Sequence, residues 1–430
     1  MLGLIFVLCL VSFISPSLCW WDSSWQYRVP IEINNTGNSN NLTDYQVLVT
    51  VDTATLISDG KMRSDCGDIR FVDSDDSTKL SYWIESGCNT SSTKIWVKVP
   101  SIPASSTKTI YMYYGNPNAE SESNGDATFE FFDDFEDDSP YTSTNSSLIY
   151  VDTANSRLVA KLYRNSDNTY IYRSLPSAIS GDFVMVARMQ FASHSGTWTY
   201  SGGFGFSDSA NGLRHVNGNF YGVGQDNDQD GDGTYGRSIS IYDGGGTRLA
   251  SLYNIEEEGV WREVSLKRAG SEVTASYEGY GTISGTTSYT GSTNYFVVSN
   301  YDDGADPDRY TEIWLDRIYV RKYTDPEPTT SVGSEQSISI EINIYSPEAK
   351  TYWTTDIEFT FNVTGGSNLT VKAFINNQTV YENENYEEGE LITLGKLAKD
   401  YEQERETYCT GTCSYDDSYE DGSYAYDGNE

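Results

Sequence analysis

Between Trp20 and Pro117 the chain reads WWDSSWQYRVPI (20–31), DYQVLVTVD (44–52), DIRFVDSDD (68–76), LSYWIES (80–86) and IWVKVPSIPASSTKTIYMYYGNP (95–117). Tyr45, Val47, Val49 and Val51 fall on one face of an extended chain, and Ile95, Val97 and Val99 on another. Polar or aromatic residues stand between them, the period-two pattern of a strand. The connections hold Asp, Ser, Asn, Gly and Pro, the residues that make turns. This stretch is a run of short strands.

The same pattern continues outward. After a polar connection, 118–127, FFDDFED (131–137) opens a second segment that reaches Lys322 without an amphipathic helix. Phe183, Met185, Ala187, Met189 and Phe191 alternate, Trp261–Lys267 and Glu272–Tyr277 form a hairpin across Arg268-Ala269-Gly270, and Trp314, Ile318 and Val320 mark a closing strand. Some two hundred residues of short strands predict a two-sheet sandwich. Pro326 and Pro328 predict a semi-rigid linker over 326–336. Beyond it Ile357, Phe359, Phe361 and Val363 alternate, as do Leu369, Val371, Ala373 and Ile375, with Asn376-Asn377 as a turn. That third unit, 337–395, reads as a small immunoglobulin- or fibronectin-like sandwich. The tail, 396–430, is rich in Tyr, Asp, Gly and Ser and poor in aliphatic residues, so it is expected to be disordered. The fold class is all-β, built of several sandwiches.

Two resemblances sharpen this. The WW-x-x-x-W-x-YR opening, DIRF, YWIES, WVKVPSI and YYGNP, in that order, resemble the secreted module known as domain of unknown function 2341, over 20–125. FFDDFED, WLDRIYVRKY (314–323) and the exit YTDPEPTTSVGSEQ (323–336) resemble concanavalin-like jelly rolls, over 128–325. That superfamily includes laminin-G modules, lectins and glycanases, so it implies a fold more than a function.

Residues Leu2–Leu18 are almost wholly apolar and end in Ser17-Leu18-Cys19, which reads as a signal peptide over 1–19 cleaved near Cys19–Trp20. Lipidation of Cys19 is disfavoured by the bulk of Leu18. The expected location is outside the cell, at or near its surface, with no membrane span in the mature chain. Cys66, Cys88, Cys409 and Cys413 then remain in an oxidising compartment. Cys66 precedes DIRF and Cys88 follows YWIES, which places them at one end of adjacent strands. A Cys66–Cys88 disulfide contributes about 3 kcal/mol. Cys409 and Cys413 have the spacing of a local loop. Zinc is disfavoured, because neither His194 nor His215 flanks a cysteine at finger spacing.

The chain holds 63 acidic and 28 basic residues, a formal charge of −35. Such a surface repels nucleic acid and anionic membrane. It is suited to cations, and Asp226-Asn227-Asp228-Gln229-Asp230-Gly231-Asp232-Gly233 has the alternating carboxylates and permissive glycine of a calcium loop. Asp226, Asp228 and Asp230 take the first ligand positions and Asp232 offers its carbonyl. Position twelve is Arg237, so this is no EF-hand; a solvated acidic turn is the plainer alternative. The jelly-roll resemblance implies a second calcium between Asp133 or Asp134 and Asp316. The alternative there is pairing of Asp134 or Asp316 with Arg317 or Arg321.

Catalytic signatures are missing. A retaining glycanase of this fold carries Glu-x-Asp-x-Glu on one strand. Glu256-Glu257-Glu258 alternates faces, and Glu312–Asp316 lacks the second Glu. G-x-S-x-G, a helix-opening G-x-G-x-x-G and a P-loop are absent. The chain is therefore read as a non-enzyme that binds a glycan or other cell-surface ligand. Trp198, Tyr200, Tyr221, Tyr235 and Tyr242 are the candidate aromatic contacts, although most aromatics in a β protein are core. A structural surface-layer or filament component that associates with its own copies is the alternative, and a glycoside hydrolase a more remote one. Sequons at Asn34, Asn41, Asn89, Asn145, Asn362, Asn368 and Asn377 permit N-glycosylation.

Overall fold

The computed structural model describes residues 20–195, 199–225, 236–255, 257–304, 306–338, 341–346, 359–364, 369–375, 378–386 and 391–394. Strands dominate them, with short helices at Thr53–Ser58 and Gly125–Thr128. No described helix is long and apolar enough to cross a membrane.

The N-terminal module packs two sheets face to face. One is ordered Thr329–Val332, Tyr27–Asn34, Thr107–Tyr114, Arg70–Val72, Lys79–Leu80; the other is Leu42–Val51, Thr93–Ile102, Tyr82–Ser86. The alternating side chains Tyr45, Val47, Val49 and Val51 meet Ile31, Ile33, Ile110 and Met112 in one core. Cys66 and Cys88 are disulfide-bonded across it, with Cα atoms 6.1 Å apart.

The module's signature residues brace this core. Arg28 is buried, ion-paired to Asp76 at 2.7 Å, with its guanidinium over Tyr111 and Trp20. Asp68 accepts the Gly115 N–H at 2.8 Å, joining DIRF to YYGNP, while its carbonyl accepts the Trp25 indole N–H at 2.6 Å. Gly115 sits at φ 91°, where a Cβ would lie 2.6 Å from Tyr27 Cδ2, so glycine is required there.

The second module, read above as a jelly roll, also has two sheets. The back sheet runs Ile149–Asp152, Arg157–Arg164, Asp306–Lys322, Phe183–Ser195, Trp261–Ala269, Glu272–Tyr277, Gly281–Thr286, with Phe131–Asp133 also on Asp306–Lys322. The front sheet runs Thr247–Ile255, Arg237–Asp243, Gly218–Gln225, Thr199–Ser207, Thr293–Asn300, Tyr170–Ile179, Tyr141–Ser143. Phe183, Met185, Ala187, Met189 and Phe191 of the back sheet face Phe204, Phe206, Tyr221, Phe296 and Val298 of the front in a single core.

Two sequence expectations change here. Residues 326–336 are not a free linker. Thr329–Val332 pairs with Tyr27–Asn34 (Ile31 opposite Val332), and Gln336–Ser337 pairs with it too (Tyr27 opposite Ser337). The prolines begin a return to the first sheet, so the jelly roll is an insertion in the N-terminal module. The polar connection is likewise ordered: Asn124 caps Gly125–Thr128 through the Ala127 N–H, and Phe129 packs between the modules.

The modules share a seam. Trp96, Phe129, Phe132, Val184, Val186 and Tyr319 are buried there, with Trp83, Leu48 and Tyr323 against them. Phe129 stacks on Tyr319 at 4.4 Å and Trp83 meets Phe132 edge-on at 5.1 Å. Each such side chain contributes about 1.5–3 kcal/mol by leaving water. Gln46 ties the edge, donating to the Thr128 carbonyl at 3.0 Å and accepting the Lys322 N–H at 3.0 Å.

In the third unit Glu341–Ser346 pairs with Phe359–Thr364, which pairs with Ile392–Leu394, and Leu369–Ile375 forms a hairpin with Gln378–Tyr386. Residues 1–19, read above as a signal peptide, and Cys409, Cys413 and the acidic tail lie outside the described residues.

Candidate functional site

The residues expected to hold calcium or ligand divide sharply. Asp226, Asp228, Asp230, Asp232, Trp198 and Tyr235 lie outside the described residues, as do Asn368 and Asn377. Tyr200 lies in a described strand, but its side chain is outside the description. Asn34, Asn41 and Asn89 are exposed, and Asn145 and Asn362 half-buried.

Asp133 and Asp316 each have cationic partners of their own. Asp133 faces the core, opposite Ile318, where Tyr141 Oη and Arg173 donate to its carboxylate. Burial pushes its carboxyl above the ordinary range, against those two partners. Asp316 is displaced by a bulge: Met189 pairs with Leu315 and Arg188 with Arg317, leaving it the extra residue. Its side chain turns to the outer face and pairs with Arg188, not with Arg317 or Arg321. No group of three or more His, Cys, Asp or Glu side chains that could hold a metal occurs among the described residues, Asp134 included.

Tyr221 and Tyr242 are packing residues. Tyr221 is fully buried, 5.2 Å from the Phe204 ring, with its hydroxyl donating to the Ser276 carbonyl at 3.1 Å. Tyr242 lies on the outer face of the front sheet, where Leu213 and Val216 fold over it together with Phe220 and Val297. The segment around Leu213–His215 thus covers Tyr242, one of the aromatic residues that the sequence offered to a ligand.

An open site lies elsewhere, where the seam ends. A pocket of about 570 Å³ is lined by Glu85 and Lys94 of the N-terminal module and by Arg188, Trp261, Glu263 and Arg317 of the back sheet. The turn bearing Glu278 closes it, with Gly279 and Gly281 at φ 84° and 127°. Strand parity explains the gathering. Val264 and Leu266 point into the core, so Trp261 and Glu263 point out; Ala187 and Met189 do the same for Arg188.

Glu85 is the fixed point of the pocket. Its carboxylate accepts the Tyr319 hydroxyl at 2.8 Å and the Trp96 indole N–H at 3.3 Å, with Arg317 at 3.9 Å. Glu263 faces the pocket and the solvent. Crowding by protein raises its carboxyl above the ordinary range, and the Glu85 charge adds to this. Arg188 lies over the Trp261 ring at 5.1 Å. An indole wall beside carboxylates and guanidinium groups can stack a ring and both donate and accept hydrogen bonds. Sequence reasoning missed these residues, although YWIES carries Glu85 and the unbroken apolar run Phe183–Ala187 signals a strand buried on both faces.

The family model for domain of unknown function 2341 matches residues 65–147. The match therefore starts beyond the WW opening and runs across Trp83, Glu85, Trp96, Phe129 and Phe132 of the seam. No curated protein matches the sequence. Among solved structures the chain is similar to the Emp46p carbohydrate recognition domain in its metal-free form (13% identity, 43% of this chain, 88% of that one, TM-score 0.29). It is also similar to the alginate lyase AlgAT5 from Polysaccharide Lyase family 7 (15%, 42% and 84%, 0.30). A third is Rv0315, described as an immunostimulatory antigen and pseudo beta-1,3-glucanase of Mycobacterium tuberculosis (13%, 47% and 100%, 0.31). The two-sheet sandwich itself is established by the strand order and pairing given above.

Proposed function

We propose that the protein recognises a saccharide outside the cell, without turning it over, and that the seam pocket is where it does so. The observation that carries this is the convergence of Trp261 with Glu85, Glu263, Arg188 and Arg317 in one open cavity built by two modules. Sugars present an apolar ring face and a rim of hydroxyls that both donate and accept, and this lining matches both features. The Cys66–Cys88 bond supports an oxidising, extracellular setting. Calcium at Asp226, Asp228, Asp230 and Asp232 belongs to the same proposal, as an ion that orders the connection between Gly218–Gln225 and Arg237–Asp243 of the front sheet.

A glycan array probed with the wild-type protein and with Trp261→Ala tests the reading. Binding to a defined set of saccharides that the variant loses supports it. Binding that survives the change moves the site away from the seam, and an array with no signal removes the lectin-like function. Released reducing ends from any bound polysaccharide would replace recognition with hydrolysis.

A further inference from the structure

The charges lining the seam pocket do not cancel locally. Arg188 is paired with Asp316. Arg317 faces Glu85 at 3.9 Å and donates to the Glu85 carbonyl at 3.3 Å. Glu263 and Glu278 have no arginine or lysine within ion-pair distance among the described residues. Glu278 instead accepts the backbone N–H of Glu263 at 3.0 Å, which holds the two side chains on one wall. Lys94 reaches Glu263 only at longer range. Arg317 likewise acts on Glu263, and Arg262 on Glu278, without forming an ion pair. The two carboxylates thus lack a contacting cation, in a chain whose formal charge is −35.

This arrangement discriminates among saccharides. A neutral sugar would strip water from both carboxylates and return hydroxyl hydrogen bonds without an opposite charge. An acidic sugar would meet like charge locally and across the whole surface. A protonated amine returns hydrogen bonds and the opposite charge together. The pocket wall already accepts one cation, since the Arg188 guanidinium lies 5.1 Å from the Trp261 ring centroid.

We propose that the seam pocket selects a saccharide bearing a free amine, with Glu263 and Glu278 receiving the ammonium beside Trp261. This rests on the reading of the pocket as a saccharide site and names the class of sugar it takes.

Calorimetric titration of the full chain with a β-1,4-linked glucosamine tetramer and with its fully N-acetylated counterpart tests it. The free amine is expected to bind about tenfold more tightly or better, the worth of adding an opposite charge to a hydrogen bond already made to a carboxylate. In the Glu263→Gln/Glu278→Gln double variant the two tetramers should bind alike, with an unchanged melting temperature showing that the chain still folds. Equal binding of the two tetramers by wild type overturns the amine preference, as does a preference that survives the double variant. So does binding of neutral saccharides alone, while their sensitivity to Trp261→Ala keeps the seam site itself. Binding of the glucosamine tetramer that Trp261→Ala leaves intact fails both readings, and so does the absence of any saccharide binding.

Discussion

The jelly roll covers its two outer faces in different ways. The front face is closed by the chain's own short segment: Leu213 and Val216 are buried on Phe220, Tyr242 and Val297. Its strands have grown to fit, and at Gly222 a Cβ would come within 2.3 Å of Tyr242 Cε2. The back face is closed by the N-terminal module. Contact is dense around Tyr319 and Phe129, then opens into the pocket beside Trp261. A loop from the same domain fills the face it lies on, whereas the two modules leave an opening where their packed seam ends. Aromatic richness alone therefore does not locate a ligand.

The largest effect expected of any single change at either face is at the seam. Tyr319→Ala removes a ring stacked on Phe129 and a hydroxyl bound to Glu85. It should cost about 3–5 kcal/mol and separate the melting of the two modules, seen as two denaturant transitions in place of one. A single transition at nearly the wild-type midpoint would mean that the modules do not share a core. On the front face, Leu213→Ala should cost about 3 kcal/mol and leave saccharide affinity unchanged in titration. A loss of affinity there would erase the functional distinction between the faces.

Calcium sharpens the same contrast. At 100 times its dissociation constant it should stabilise the sandwich by about 2.7 kcal/mol through the front-sheet connection. Chelator should abolish this shift in melting temperature, and Asp228→Ala should prevent it. Equal melting with and without the ion in wild type rules out a stabilising site there.

The smallest effect is the pH response of Glu263. Its carboxyl is raised in the folded chain from 4.5, so its contribution to stability is full below that value and is lost as pH rises through the folded value. Glu263→Gln should flatten this part of the stability profile and leave the neutral protein as stable or slightly more so. Because the side chain is exposed, the change is small. A steeper profile in the variant would contradict the crowding described for the pocket.

Much of the fold was legible because it rests on local alternation. Phe183–Phe191 and the Trp261–Tyr277 hairpin occupy the strands read from their pattern, but Arg268 and Ala269, expected in the turn, pair with Val273 and Glu272, so the turn is Gly270-Ser271. The Cys66–Cys88 bond was legible from the flanking strands. The return of 329–337 to Tyr27–Asn34 was not, because two prolines dominate the local signal and the partner strand lies at the far end of the sequence. Asp316 was misplaced for a different reason. A bulge shifts strand parity by one residue, and nothing in WLDRIYV announces where the extra residue sits. The pocket residues Glu85 and Glu263 belong to different modules, so no spacing along the chain could join them.

The insertion also fixes how the molecule responds to being pulled. Tyr27 lies opposite Ser337, and Asn34 opposite Thr329. A load between the segment before Tyr27 and the segment after Ser337 enters at one end of that antiparallel pair. It peels the backbone bonds one after another from Tyr27 toward Asn34 and does not shear them together. Until the peel is complete no force passes into the jelly roll, whose entry and exit both lie behind it. Pulling the ends apart in a force-clamp should give a weak first extension from this strand pair, while the sandwich and its pocket remain unloaded.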